Sequence, residues 1–143
     1  MIERIAPQGI AQPVGWYTHA LKFSPKELIF VAGQVPIDKD GNVVGVDRSE
    51  KLKNHQTIDL AAQVRQTFLN IKMALEASGA SMKHIVRLDS YVVASVMNEW
   101  RTIGRKIKHE MLEEAYPPGA TVFVVGLMIP EAMLEISAIA AIE

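Results

Sequence analysis

Leu60, Val64, Phe68, Ile71 and Leu75 recur at spacings of four, four, three and four. That period puts them on one face of a helix over residues 58–78, with Gln63, Arg65, Gln66, Asn70, Lys72 and Glu76 elsewhere around it. Thr57 stands where a side-chain oxygen can cap the first turn, and Gly79 suits the left-handed position after the last. A second helix is predicted from about Met97 to Ala115, with Asn98 as its N-cap and Trp100, Ile103, Ile107 and Met111 as its apolar stripe. Pro117-Pro118-Gly119 then stops any helix and starts a turn.

The remaining apolar runs have strand character. Residues 18–24 form a short one, and Ser24-Pro25-Lys26 punctuates it. Leu28-Ile29-Phe30-Val31-Ala32 is continuous and rich in β-branched and aromatic residues, which predicts a strand buried on both faces and paired with the first in an antiparallel hairpin. His84 to Val93, Ala120 to Leu127 and Leu134 to Ile142 complete the set; in the last, Leu134, Ile136, Ala138 and Ala140 share one face. The order is β-β-α-β-α-β-β, a single α+β domain spanning residues 1–143. Two helices cover one face of a sheet, yet the strands are apolar on nearly every residue. The uncovered face needs another partner, and a homo-oligomer is the simplest.

Composition narrows the function. Of the 143 residues, 49% are hydrophobic and 22% charged, with a formal net charge of -1. A nucleic-acid binder carries a basic face, so bulk charge argues against that role. The absence of cysteine excludes disulfides and thiolate chemistry and fits a cytoplasmic setting. The N-terminus lacks the pattern of a signal peptide, and no apolar run reaches membrane-spanning length. None of the four histidines has metal-site spacing, so no metal is expected. The polar stretch from Asp47 to Thr57 reads as an exposed loop.

Glu135 stands out as a carboxylate inside an apolar strand, expensive to bury unless paired. Its plain reading is an edge residue satisfied by a neighbour; its functional reading is a group that holds a water or moves a proton. Tyr17, after Gly15-Trp16, is either a rim anchor or the wall of a pocket for a flat ligand. Gly33 and Gly119 serve turn geometry or the close approach of a ligand. Arg101, Arg105 and Lys108 align on one helix face, with Lys106 and His109 beside them; a solvated face is the plain reading, an anion- or RNA-binding patch the other.

Several stretches together resemble the Rid (YjgF-like, reactive intermediate deaminase) family. Gly15-Trp16-Tyr17-Thr18-His19-Ala20 resembles its Gly-Pro-Tyr-Ser-Gln-Ala motif, and Ala32-Gly33-Gln34-Val35-Pro36 its Ser-Gly-Gln-Ile-Pro. The stretch from Ala62 to Ala80 resembles its first helix and cap, and Leu134 to Ala140 its closing strand. The segment around 47–57 is longer than usual for the family. The resemblance implies a chorismate-mutase-like fold and a homotrimer with ligand pockets between subunits. It further implies hydrolysis of enamines and imines to ammonia and a keto acid, with no cofactor.

By position, Tyr17 matches the family's pocket tyrosine, Gly33 its backbone contact and Glu135 its water-holding glutamate. In the motif Pro-Ala-Arg-Ser, Gly119 stands where the arginine belongs, and Thr121 where a cysteine follows. That arginine clamps the substrate carboxylate in the family, so its loss points to a substrate other than the usual small 2-imino acids. Arg87 is a candidate displaced cation. The leading expectation is an imine or enamine hydrolase that binds a small metabolite between subunits. The alternatives are a non-catalytic metabolite-binding or interaction protein and, last, an endoribonuclease.

Overall fold

The computed structural model describes residues 2–47 and 58–143. The charged stretch expected to form a loop, and Thr57 with it, lies outside them except for Asp47.

Three strands precede the first helix: β1 (Glu3–Ile5), β2 (Ala20–Lys22) and β3 (Glu27–Gln34). Helix α1 spans Leu60–Ala77, strand β4 Ile85–Val93, strand β5 Thr121–Val124 and strand β6 Leu134–Ile142. The main sheet has the order β3-β6-β4-β5. Its pairs β3–β6 and β6–β4 are antiparallel and β4–β5 is parallel. The predicted hairpin does not form: β2 pairs with β1 in a separate two-stranded sheet, and β3 pairs with β6. Pro25 has no amide proton to offer a ladder, and Lys26 N–H donates to the Ile142 carbonyl at 2.9 Å, which joins the chain to β6.

The stripe on α1 packs as its period predicts, with Val64, Phe68, Ile71 and Leu75 fully buried against Leu134 and Ile136. Each such side chain contributes roughly 1.5–3 kcal/mol of transfer free energy. Asp59 caps the helix in place of Thr57, accepting from Ala62 N–H at 3.0 Å. Gln63, expected off the apolar face, is fully buried as well. Its amide donates to the Val44 and Glu131 carbonyls and accepts from Met133 N–H, so the polar group enters the core satisfied.

The second helix is composite. A turn of α2 (Met97–Glu99) runs into a π-segment (Trp100–Gly104) and then α3 (Arg105–Met111). It begins from a 3₁₀ turn at Ala94–Val96, so Asn98 is internal and caps nothing. The wide turn, in which Arg105 N–H reaches the Trp100 carbonyl, rotates Ile103 outward to half exposure and puts Gly104 on the inner face. A Cβ at Gly104 would press on the Trp100 ring, so the glycine lets that indole lie flat against the helix.

The helices cover one sheet face. On the other, Leu28, Phe30, Tyr91 and Val122 are between 40% and 72% exposed, so β3 is buried on one face in the chain rather than on both. No helix of the described residues is long and apolar enough to cross a membrane.

Candidate active site

The candidate residues fall into two groups on opposite sides of the sheet. Glu135 alternates with the buried Leu134 and Ile136, so its side chain stands on the open face, opposite Tyr91 of β4. Gly33 lies in a break of the β3–β6 register between Val31 and Gln34. A Cβ at Gly33 would collide with the Glu135 carboxylate and come within 3.0 Å of its Cδ. A residue without a side chain is therefore what lets Glu135 lie across β3 at this bulge, a common place for strands to re-aim a functional group.

Tyr17, Gly119 and Thr121 line a cavity of about 410 Å³ between β5, the second helix and the segment at residues 14–17. Gly119 is packed tightly. A Cβ there would overlap the Leu88 carbonyl oxygen and sit 2.7 Å from its carbon. Leu88 N–H donates to the Pro118 carbonyl at 3.1 Å, and Ala120 N–H donates to Asp89 Oδ1 at 3.0 Å. These bonds hold the Pro117-Pro118-Gly119 turn against β4. The backbone at this position has no room for an arginine side chain.

Cations enter the cavity from the helix instead. Arg101, Arg105 and Lys108 all line it, so the helix face is only partly a solvated one. Lys108 Nζ donates to Ser90 Oγ at 3.3 Å and Thr121 Oγ1 at 3.4 Å. Burial pushes this ammonium down to about 8; the Asp89 carboxylate opposes the shift and the Arg105 guanidinium adds to it. The arginines lie over rings, Arg105 over Trp16 at 5.0 Å and Arg101 over Phe123 at 5.6 Å. Trp16 in turn stacks on His109 at 3.8 Å, and His109 on Tyr116 at 5.8 Å.

Tyr116 has a φ of 44°, and Glu113 and Glu114 also take left-handed backbone. Such residues cost of order 1–3 kcal/mol each and collect beside functional sites. Arg87, the displaced cation suggested by sequence, is not part of the cavity. Its Nε donates to Asp89 Oδ2 at 2.7 Å, and that hydrogen bond, with the carboxylate charge, raises its pKa above the usual arginine value.

A sequence profile described as endoribonuclease L-PSP matches residues 8–142. The chain belongs to this family, the Rid (YjgF-like) proteins. A RutC family protein of Pyrococcus horikoshii is 31% identical over 141 residues, covering 98% of each chain. A 3-aminoacrylate deaminase, RutC of Acinetobacter baylyi, is 28% identical over 96% of each. Among solved structures, a Rid family protein of Yersinia pestis matches with a TM-score of 0.77 and 29% identity, covering 99% of this chain and 98% of that one. The Rid fold, two helices packed on a mixed sheet, is thus the fold of this chain.

Sequence reasoning did not foresee the part played by Trp16, His109 and Tyr116 in the cavity wall. The available signal was the spacing of Arg101, Arg105 and Lys108, a cationic stripe with no acid on it.

Proposed function

We propose that this Rid protein hydrolyses an imine or enamine of a small metabolite in clefts formed between the subunits of a homotrimer, in the cytoplasm and without a cofactor. The reading rests on one observation: Glu135 and Gly33 touch each other on the open face, while Tyr17, Gly119 and Thr121 line a cavity on the helix side. Each chain therefore carries two separated halves of a site. Leu28, Phe30, Tyr91 and Val122 leave the intervening surface apolar and uncovered, as a face that packs against another copy would be.

In the assembled cleft, Glu135 of one copy faces the cavity of the next. A substrate carbon doubly bonded to nitrogen is attacked by a water whose proton passes to the Glu135 carboxylate. That proton is returned to the departing nitrogen. The new carbon–oxygen bond becomes a carbonyl as the carbon–nitrogen bond breaks, so one imine and one water give one ketone and one ammonia. Tyr17 walls the cavity, and the tight turn at Gly119 leaves the position of the family's arginine empty of charge. The substrate accordingly differs from the small 2-imino acids that such an arginine clamps. The similarity to a protein named 3-aminoacrylate deaminase supports the reaction class.

Glu135→Gln keeps the shape and removes the base. Ammonia release, followed with imines generated in situ from a panel of amino acids by an amino-acid oxidase, should fall by about a hundredfold or more. Sedimentation should stay that of the trimer. Unchanged turnover overturns the role of Glu135, and an intact trimer that hydrolyses none of the panel favours a metabolite-binding role for the same cleft.

A further inference from the structure

We infer that the cavity beside Gly119 is an anion site built by the second helix, and that its ligand is a carboxylate carrying an aromatic or similarly flat apolar group. The inference rests on the reading of this cavity as half of the substrate cleft, and it names the substrate class.

Charge is the first ground. Arg101, Arg105 and Lys108 line the cavity, and no aspartate or glutamate among the described residues does. Nor does any described carboxylate lie within ion-pair distance of the three. The nearby Asp89 is engaged with Arg87 and the Ala120 amide. Cations gathered on a concave surface without counter-ions favour an anion, because an incoming carboxylate supplies the charge and the acceptors together.

The state of Lys108 is the second. Its ammonium has three protons to donate, and the structure gives it two hydroxyls at 3.3 and 3.4 Å, both longer than a charge-assisted bond. Ser90 and Thr121 fix the ammonium at the cavity wall without neutralising it. A ligand carboxylate reaching this point meets Lys108, with Arg105 one helical turn away. Gly119 lines the cavity with backbone alone, its side-chain direction turned into the Leu88 carbonyl, so no group from the turn competes for Lys108.

The third ground is the shape of the rest. The indole of Trp16 and the rings of His109, Tyr116 and Phe123 form walls, and about 410 Å³ is more room than a three-carbon acid fills. Arg105 and Arg101 lie over Trp16 and Phe123; Arg105 Nη2 is also tied to the Val14 carbonyl at 3.3 Å, and the other N–H groups of the two guanidiniums remain for a ligand. A flat ring laid against the exposed surface of these rings directs its acid group at α3.

Both tryptophans, Trp16 and Trp100, line the cavity, so quenching of their fluorescence reads binding directly. The test titrates the trimer with 3-phenylpropanoate, its uncharged amide 3-phenylpropanamide, propanoate and phenyl phosphate. The first should bind at least tenfold more tightly than the amide and than propanoate, and Lys108→Met should lose about tenfold or more for the acid while leaving the amide unchanged. Equal binding of acid and amide removes the anion site, and equal binding of propanoate removes the aromatic part. Phenyl phosphate binding tenfold more tightly than the carboxylate would overturn the assignment in favour of a phosphate ligand. The comparison among ligands on the unaltered protein stands even if a Lys108 variant fails to fold. The two readings fail separately. Selective binding of the acid with no imine turnover ends the hydrolase and keeps the anion site. Turnover of uncharged imines, with no preference for the acid, does the reverse.

Discussion

The two halves of the site differ in how each holds its polar groups. On the open sheet face the Glu135 carboxylate stands opposite Tyr91, and its place is made by a missing side chain at Gly33. On the helix side three cations are held by rings, hydroxyls and one backbone carbonyl, and a Cβ at Gly15 would come within 3.1 Å of Arg105 Nη2. One half offers a base without a substrate cavity, the other a cavity without a base. Neither is complete in one chain, so quaternary structure has to join them if the protein is a catalyst.

The largest effect should come from preventing that join. Phe30 is 72% exposed on the open face. Phe30→Glu places a charge where a neighbouring copy would bury the ring, and a charge left unpaired in an interface costs several kcal/mol. The expected result is a folded monomer by analytical ultracentrifugation, with helical content intact by circular dichroism and ammonia release lost. A monomer as active as the parent would mean that each chain acts alone, and the division of the site into halves would be wrong.

The cavity half makes a sharper claim at Gly119. Restoring arginine there looks, from sequence, like the repair of a missing substrate clamp. The backbone says otherwise: the new Cβ would overlap the Leu88 oxygen, and the turn is pinned by the Pro118 and Ala120 hydrogen bonds to β4. Gly119→Arg should therefore lower stability by about 1–3 kcal/mol, as overpacking does, seen as an earlier midpoint in urea. It should not improve turnover of small imino acids. A gain in that activity at full stability would show that the turn moves easily.

How far the chain could be read in advance follows the same contrast between local pattern and long-range contact. The α1 stripe and the alternation of β6 are local periods, and both elements lie where those periods put them. The β2–β3 hairpin is a claim about partners, and the ladder to β6 takes precedence over proximity in sequence. Three residues at Glu3–Ile5 carry too little pattern to announce β1. Ile103 is misplaced because a π-turn shifts the helical period by one residue, and nothing in the residue types marks the shift. Glu135 is conspicuous as an acid in an apolar strand, but its contact with Gly33 depends on a bulge. The period of the second helix likewise shows that Arg101, Arg105 and Lys108 share a face. It cannot show that a cavity, rather than water, lies opposite.

The smallest effect is also the most specific to the cavity. Lys108 loses its proton as pH rises through about 8, so anion binding that depends on the ammonium should weaken up to about tenfold between pH 7 and 9. Other groups bear on the same titration: Asp89 of β4 through its charge, and, lining the cavity, Arg101, Arg105 and His109 from the second helix and Tyr17 and Tyr116 from the flanking segments. The Lys108→Met chain is the control that isolates one titration from the rest. For stability the sign is opposite to that of a salt bridge. The folded value lies below that of an unfolded lysine at about 10.4, so between the two the unfolded chain binds more protons and stability rises with pH. Lys108→Met should accordingly be more resistant to urea than the parent at pH 7, with the gap closing by about pH 10. A gap that is absent at pH 7, or constant across the range, would mean that the ammonium is not held at a cost, and the contrast between a strained cavity and an open face would lose its electrostatic half.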